Sequence, residues 1–270
     1  MMKSVSIIPM GGLCNRMRTI ASTIFLARKY NLVPTIYWNN VQGLKANFND
    51  LFNPIAADIA EVIENRDWIH RVNCTKDYLL RWPLLKMKYP KIYFKYNLYT
   101  QGDLLNKEDF SSCQSLLFVA YSPMTQFYPL NEIFTPTDEI KEHINDITRQ
   151  FDSNTVGVHI RRTDNKESIN HSPLKAFIKL MEEKLKENKD TTFYVASDDK
   201  ATKEELTDLF PNKIITFYDE TDRDSLEGMK FAVTDLYCLS NTREIIGSYF
   251  SSYSQIAAEL GKCNIVYAQQ

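Results

Sequence analysis

The chain has 270 residues, 44% of them hydrophobic and 24% charged, with a formal net charge of −2. That length buries a sizeable core in one large domain or two of ordinary size. A charge so near zero excludes a protein drawn to nucleic acid by its overall field. Five cysteines, Cys14, Cys74, Cys113, Cys238 and Cys263, include no C-x-x-C pair, which argues against a zinc site and for reduced thiols in a cytoplasmic protein.

Residues 4–9, S-V-S-I-I-P, read as a short apolar strand. The run is too short for a secretory signal and ends at Pro9. No other run is long enough to span a membrane. Met10-Gly11-Gly12 reads as a turn, because glycine supplies positive φ and close backbone approach. From 14 to 30, Met17, Ile20, Ile24 and Ala27 recur at helical spacing, and 33–38 is a second strand. The opening is therefore a βαβ unit. Gly11, Gly12 and Asn15 sit where a helix N-terminus favours an anion; a plain tight turn is the structural alternative. Arg16 and Arg18 oppose the helix dipole, so an acidic side chain or a phosphate is expected beside them.

Residues 39–115 have weaker periodicity. Residues 55–63 read as a short helix. The stretch 71–99 mixes Arg71, Lys76, Arg81, Lys86, Lys88, Lys91 and Lys95 with Tyr78, Trp82, Tyr89, Tyr93, Phe94, Tyr96 and Tyr99. That mixture suits glycans, phosphorylated ligands or peripheral contact with a cytosolic membrane face; the alternative is a solvated element with its aromatics in the core. Residues 116–120 form a strand, prolines punctuate the following loop, and Thr137-Asp138-Glu139 caps a helix over 140–151. A domain boundary is expected here, dividing 1–150 from 151–270.

The second half is regular. Strands at 155–160, 192–196, 213–217, 243–247 and 264–267 alternate with helices, the signature of a parallel sheet covered on both faces. Ligand chemistry in such sheets gathers at the carboxyl ends of the strands. Those ends carry Arg161, Arg162, Thr163 and Asp164; Ser197, Asp198 and Asp199; Tyr218 and Asp219; and Ser248, Tyr249 and Phe250. Two arginines suit a phosphate or diphosphate, Asp198 and Asp199 suit a base or ribose, and Ser251, Ser252 and Ser254 open a helix able to bind phosphate oxygens. Structural alternatives stand beside each. An Arg–Asp pair can pin the loop, Ser-Asp-Asp can cap a helix, and His159 can be a hydrogen-bonded core residue. His159 and Arg161 alternate, so they face one side of their strand. Asp235, in mid-helix, either faces the pocket or pairs locally.

H-I-R-R-T-D at 159–164, F-Y-V-A-S-D-D at 193–199, V-T-D-L-Y-C-L-S at 233–240 and S-Y-F-S-S-Y-S at 248–254 resemble, in order, the motifs of the α1,6-fucosyltransferases and the related nodulation-factor and protein O-fucosyltransferases. The similarity covers about residues 155–260. G-G-L-C-N-R is more weakly similar to the family's opening G-x-x-N loop. The resemblance implies a GT-B-like α/β fold of two Rossmann-type domains, their parallel sheets facing across a cleft. Residues 1–150 would form the acceptor side and 151–270 the nucleotide-sugar side.

It further implies inverting transfer of L-fucose from GDP-fucose to a hydroxyl of a glycan or lipid-linked glycan, with no metal and no cofactor. The family's arginine at the β-phosphate maps to Arg161 or Arg162. Donor-binding positions map to His159, Asp164, Asp198, Asp199, Asp235, Ser251, Ser252, Tyr253 and Ser254, with Gly11, Gly12 and Asn15 from the opening loop. The family's lysine after the motif is replaced by Asn165, with Lys166 next, so the nearest acidic residue is Glu167. Glu167 is the expected base, with Asp164 second. Transfer from another nucleotide sugar such as GDP-mannose, or binding without catalysis, are the alternatives. A missing GxxxxGK[ST] disfavours a P-loop kinase or sulfotransferase.

Overall fold

The apolar runs at 4–9 and 115–120 become the two most deeply buried strands of a first parallel sheet, with Val5, Ile7, Ile8 and Leu116 to Val119 all at or near zero exposure. Each such side chain contributes about 1.5–3 kcal/mol on burial. The computed structural model describes residues 4–163, 166–218 and 222–269. It divides into two units: Met1–Thr137 with Arg223–Met229, and Asp138–Asp222 with Lys230–Gln270.

Unit 1 runs β1 (Ser4–Pro9), α1 (Leu13–Lys29), β2 (Thr35–Trp38), α2 (Phe48–Leu51), β3 (Glu61–Glu64), α3 (Thr75–Lys88), β4 (Lys91–Phe94), α4 (Leu98–Gln101), β5 (Ser115–Ala120) and α5 (Leu130–Ile133). Strand order is β3-β2-β1-β5-β4, with every pairing parallel. The helix expected over 55–63 does not form. Ile55, Ile59 and Ile63 imitate helical spacing, but Glu61–Glu64 pairs in register with Thr35–Trp38 as an edge strand. Residues 223 and 224 complete this unit: the Lys45 N–H donates to the Arg223 carbonyl at 2.9 Å, and the Gly43 N–H to the Asp224 carboxylate at 2.7 Å.

Unit 2 runs α6 (Asp138–Thr148), β6 (Thr155–Ile160), α7 (Lys166–His171), α8 (Leu174–Glu187), β7 (Thr192–Ser197), α9 (Lys200–Leu209), β8 (Ile214–Ile215), α10 (Leu226–Ser240), β9 (Glu244–Ser248), α11 (Ser252–Gly261) and β10 (Asn264–Ala268). The first turn of α10, up to Met229, belongs to unit 1 and the rest of the helix to unit 2. Strand order is β10-β9-β6-β7-β8, again wholly parallel. The chain starts at the centre with β6, builds outward through β7 and β8, then crosses to β9 and β10. That is the dinucleotide-fold order. The chain thus forms two Rossmann-type units in tandem, a GT-B-like fold class.

Candidate functional site

In unit 2 the chain leaves β6 toward one side of the sheet and leaves β9 toward the other. The carboxyl ends of these neighbours mark the switch point where open α/β sheets bind ligands. His159 pairs in register with Gly247 and is only 5% exposed. Its Nδ1 lies 2.7 Å from Ser254 Oγ, and its ring stacks on Tyr253 at 4.6 Å. Gly247 permits this approach, since a Cβ there would stand 2.7 Å from that of Ser254. Burial, with Arg161 adding to it, lowers the His159 pKa to about 3. The imidazole is therefore neutral near pH 7, with one donor and one acceptor nitrogen.

The loop after β6 is held on both flanks. Ser248 Oγ donates to the His159 carbonyl at 3.1 Å and accepts the Arg161 N–H at 3.0 Å. Asp198, at the end of β7, accepts the Arg162 N–H at 2.7 Å and the Thr163 hydroxyl at 2.7 Å. Arg161 Nε lies 3.2 Å from the same carboxylate, with both side chains about 15% exposed. Asp198 is thus committed to the loop. The pinning Arg–Asp pair is real, and its acid is Asp198; Asp164 lies outside the described residues.

Arg162 donates through one terminal nitrogen to the Ser172 carbonyl at 3.2 Å. Its other terminal nitrogen is buried with no acceptor among the described residues. Burial lowers its pKa. Asp199 caps α9, accepting the Thr202 N–H at 2.9 Å and hydroxyl at 2.5 Å, the helix-capping alternative.

The turn into α11 passes through Phe250 at φ +55°, in the left-handed region. Ser251 occupies the N-cap position in extended conformation, yet its hydroxyl makes no cap hydrogen bond. The N–H groups of that first turn have no intrahelical acceptor. Tyr253 donates its hydroxyl to the Ala232 carbonyl at 2.5 Å, so Tyr253 and Ser254 fix the helix while Ser251 and Ser252 open it. Ser172 joins the two loops, because its hydroxyl accepts the Tyr249 N–H at 2.8 Å and its carbonyl accepts from Arg162. Neither Ser172 nor Ser248 carries a local sequence signal for this bracing.

Asp235 pairs locally. It is 3% exposed and accepts the hydroxyl of Tyr194, a mid-β7 residue, at 2.5 Å. Burial raises its pKa to about 6, with Lys203 and the Tyr194 hydrogen bond pulling the other way. Glu167 stands in the first turn of α7, its side chain 72% exposed and 3.6 Å from His171 Nε2. The His171 ring in turn meets Tyr249 and Phe250 edge-on at 5.7 and 5.5 Å.

In unit 1 the opening loop turns at Gly11, φ +79°, where a Cβ would come within 3.0 Å of Asn15 Nδ2. Gly12 precedes α1 with no side-chain cap. Arg16 is 1% exposed; it donates through Nε to the Gly11 carbonyl at 3.0 Å and through a terminal nitrogen to the Asn39 carbonyl at 2.6 Å. Its guanidinium lies over the Trp38 ring at 4.9 Å, and burial pulls its pKa down to about 9. Arg18 donates to the Tyr121 carbonyl at 3.1 Å. The acidic or phosphate partners expected for these arginines give way to backbone carbonyls just beyond β1, β2 and β5, where chain turns present oxygen atoms without ladder partners. Arg223 also approaches this loop, 3.8 Å from where a Gly12 Cβ would stand.

Most aromatics of 71–99 serve the unit 1 interior. Tyr78 stacks on Phe94 at 3.9 Å, and the Tyr89 and Tyr37 hydroxyls meet at 3.0 Å. Trp82 and Tyr99 are exposed. Among the described residues, no group of three or more His, Cys, Asp or Glu side chains is arranged to hold a metal ion, and no helix is long and apolar enough to cross a membrane.

No protein-family model matches the chain, and no curated protein does. Solved structures do match it. The α-1,6-fucosyltransferase NodZ soaked with GDP-fucose superposes with a TM-score of 0.63 at 15% identity, over 96% of this chain and 92% of that one. NodZ from Bradyrhizobium gives 0.61 at 15% identity, over 95% and 93%. A variant of Arabidopsis thaliana FUT1 in complex with GDP gives 0.63 at 15% identity, over 99% and 70%. POFUT1 in complex with GDP gives 0.58 at 15% identity, over 98% of each chain. At such identity the likeness is one of fold.

Proposed function

We propose that the chain is an inverting glycosyltransferase that moves L-fucose from GDP-fucose to a hydroxyl of a glycan or lipid-linked glycan, without a metal. The observation that carries this reading is Arg161, braced by Asp198 and Ser248 next to a helix N-terminus whose Ser251 hydroxyl is not used as a cap. In this reading residues 151–270 bind the donor and residues 1–150 form the acceptor side. The solved relatives named above that hold GDP or GDP-fucose lend the nucleotide.

The acceptor oxygen attacks the anomeric carbon as the bond from that carbon to the β-phosphate oxygen breaks. The electron pair stays on the phosphate, GDP leaves, and the acceptor proton passes to a carboxylate. Glu167 is the proposed base, with Asp164 second. Negative charge grows on the β-phosphate in the transition state. A preorganised donor there is worth about 3–4 kcal/mol, because it costs no reorganisation at the moment of reaction. Arg161 follows His159 by two residues, on the side where α11 begins, and takes this role. Arg162 supplies a second donor through its unpaired terminal nitrogen.

Calorimetric titration with GDP and GDP release from GDP-fucose over a glycan panel test the reading. Arg161→Ala is expected to lower turnover by about 100- to 1000-fold. If Arg161→Ala and Arg162→Ala each keep both GDP-sugar binding and turnover, the reading is wrong. GDP-mannose in the same assay decides the donor sugar. The exposure of Glu167 favours a second reading, nucleotide-sugar binding without transfer; GDP affinity with no GDP release on any acceptor would select it.

A further inference from the structure

Helix α3 turns its apolar side away from its own unit. Only Tyr78 and Leu85 of this helix are buried. At about 100° per residue, these two lie together on one face. Leu79, Leu80, Pro83, Leu84 and Met87 fall within an arc of roughly 140° centred opposite that face. The exposures agree: Leu79 is 65% exposed, Leu80 67%, Leu84 38% and Met87 83%. An outward arc of this kind reverses the usual amphipathic order, in which the apolar stripe meets the core.

The surrounding charge is one-sided. Lys76 sits at the N-terminal end of the arc and Lys86 along one edge, both exposed, while Lys88, beyond the other edge, turns its ammonium over the Tyr37 and Tyr89 rings. The one acid of the helix, Asp77, is paired with Arg81 at 3.1 Å. Trp82 and Trp68 are each about half exposed beside the arc, with the Arg81 guanidinium 5.4 Å from the Trp68 ring. The helix is therefore cationic in a chain whose net charge is −2. A convex apolar ridge fringed by lysines, with tryptophans at its margin, matches the water–lipid boundary of an anionic bilayer. There apolar side chains sink among acyl chains, lysine stems extend to the phosphates and indoles occupy the headgroup level.

We infer that unit 1 docks on an anionic phospholipid surface through the Leu79–Met87 ridge of α3, the helix lying in the plane of the interface. Docking needs no donor nucleotide, so the inference stands apart from the transfer reaction.

Sedimentation of the full chain with vesicles tests it. Vesicles of phosphatidylglycerol and phosphatidylcholine should bind the protein at low salt, and phosphatidylcholine alone should not. The double variant Lys76→Gln/Lys86→Gln should bind the anionic vesicles about 30-fold more weakly. The triple variant Leu79→Gln/Leu80→Gln/Met87→Gln should lose binding while keeping the wild-type circular dichroism spectrum, because all three side chains are already in water. Trp82 fluorescence should be quenched by brominated lipid. Equal binding to both vesicle types, or undiminished binding by the triple variant, would overturn the inference. So would sedimentation velocity showing a dimer that the triple variant dissolves, since the ridge would then be a contact between two copies of this chain.

Discussion

Arg161 Nε lies 3.2 Å from an oxygen of Asp198, and that carboxylate also holds the backbone N–H of Arg162 at 2.7 Å. One side chain therefore fixes both the guanidinium and the backbone that carries it. Replacing it removes the loop's anchor and takes one carboxylate away from a mostly buried cation. Asp198→Ala should cost about 2–4 kcal/mol in urea denaturation and weaken GDP binding by more than tenfold. Unchanged stability would show the pair to be dispensable.

Ser251 separates a ligand role from a capping role. Because its hydroxyl makes no cap hydrogen bond, Ser251→Ala should alter stability by less than about 0.5 kcal/mol, where loss of a working cap costs about 1 kcal/mol. GDP affinity should nevertheless fall by about tenfold. Thermal denaturation and calorimetry on the same sample read both numbers.

Two buried groups give opposed pH dependences. His159 is neutral in the folded chain down to about pH 3 but takes a proton near 6.5 when unfolded. In that window the unfolded chain binds the extra proton, so stability falls as pH drops, by up to about 1.4 kcal/mol per unit. Asp235 is protonated below about pH 6 when folded and below about 3.8 when unfolded. Here the folded chain holds the extra proton, so stability falls as pH rises through the window. The slopes offset each other between about pH 4 and 6. Asp235→Asn, which keeps an acceptor for Tyr194, should expose the His159 slope. Urea denaturation from pH 6 down to pH 4 should then show a steeper loss in the variant; parallel profiles would contradict the assignment.

Gly247 sets the distance between β9 and α11. A methyl group there meets the Ser254 Cβ at 2.7 Å, too close for either to keep its place. Gly247→Ala should cost about 1–3 kcal/mol and disturb the His159–Ser254 contact. Adding Ser254→Gly should restore part of that stability, a coupling that a double-mutant cycle by thermal denaturation measures directly.

The second half of the chain was legible because its central strands are buried on both faces, so apolar runs such as 155–160 and 192–196 stand out between turn signals. The first half hid β3 and β4, which are edge strands of four residues with half-exposed side chains. At 55–63 three isoleucines at helical spacing pointed to a helix, and a tertiary pairing with β2 prevailed. At the site, strand-end position singled out Arg161, Arg162 and Asp198. It could not tell that Asp198 serves the loop or that Ser172 links two loops, because those contacts join residues far apart in sequence. Arg16 was visible as an oddity in a first helical turn; its two carbonyl partners appear only when the ends of β1 and β2 converge.

The return of residues 223–229 to unit 1 has a consequence for the order of events during synthesis. Gly43 and Lys45 leave the ribosome early, yet the oxygens they bind belong to Asp224 and Arg223. By the time those residues emerge, β6, β7 and β8 have already been made. The first unit to begin is thus not finished until three strands of the second have been made. A gene cut at codon 150 encodes a fragment whose Gly43 and Lys45 amides remain in water.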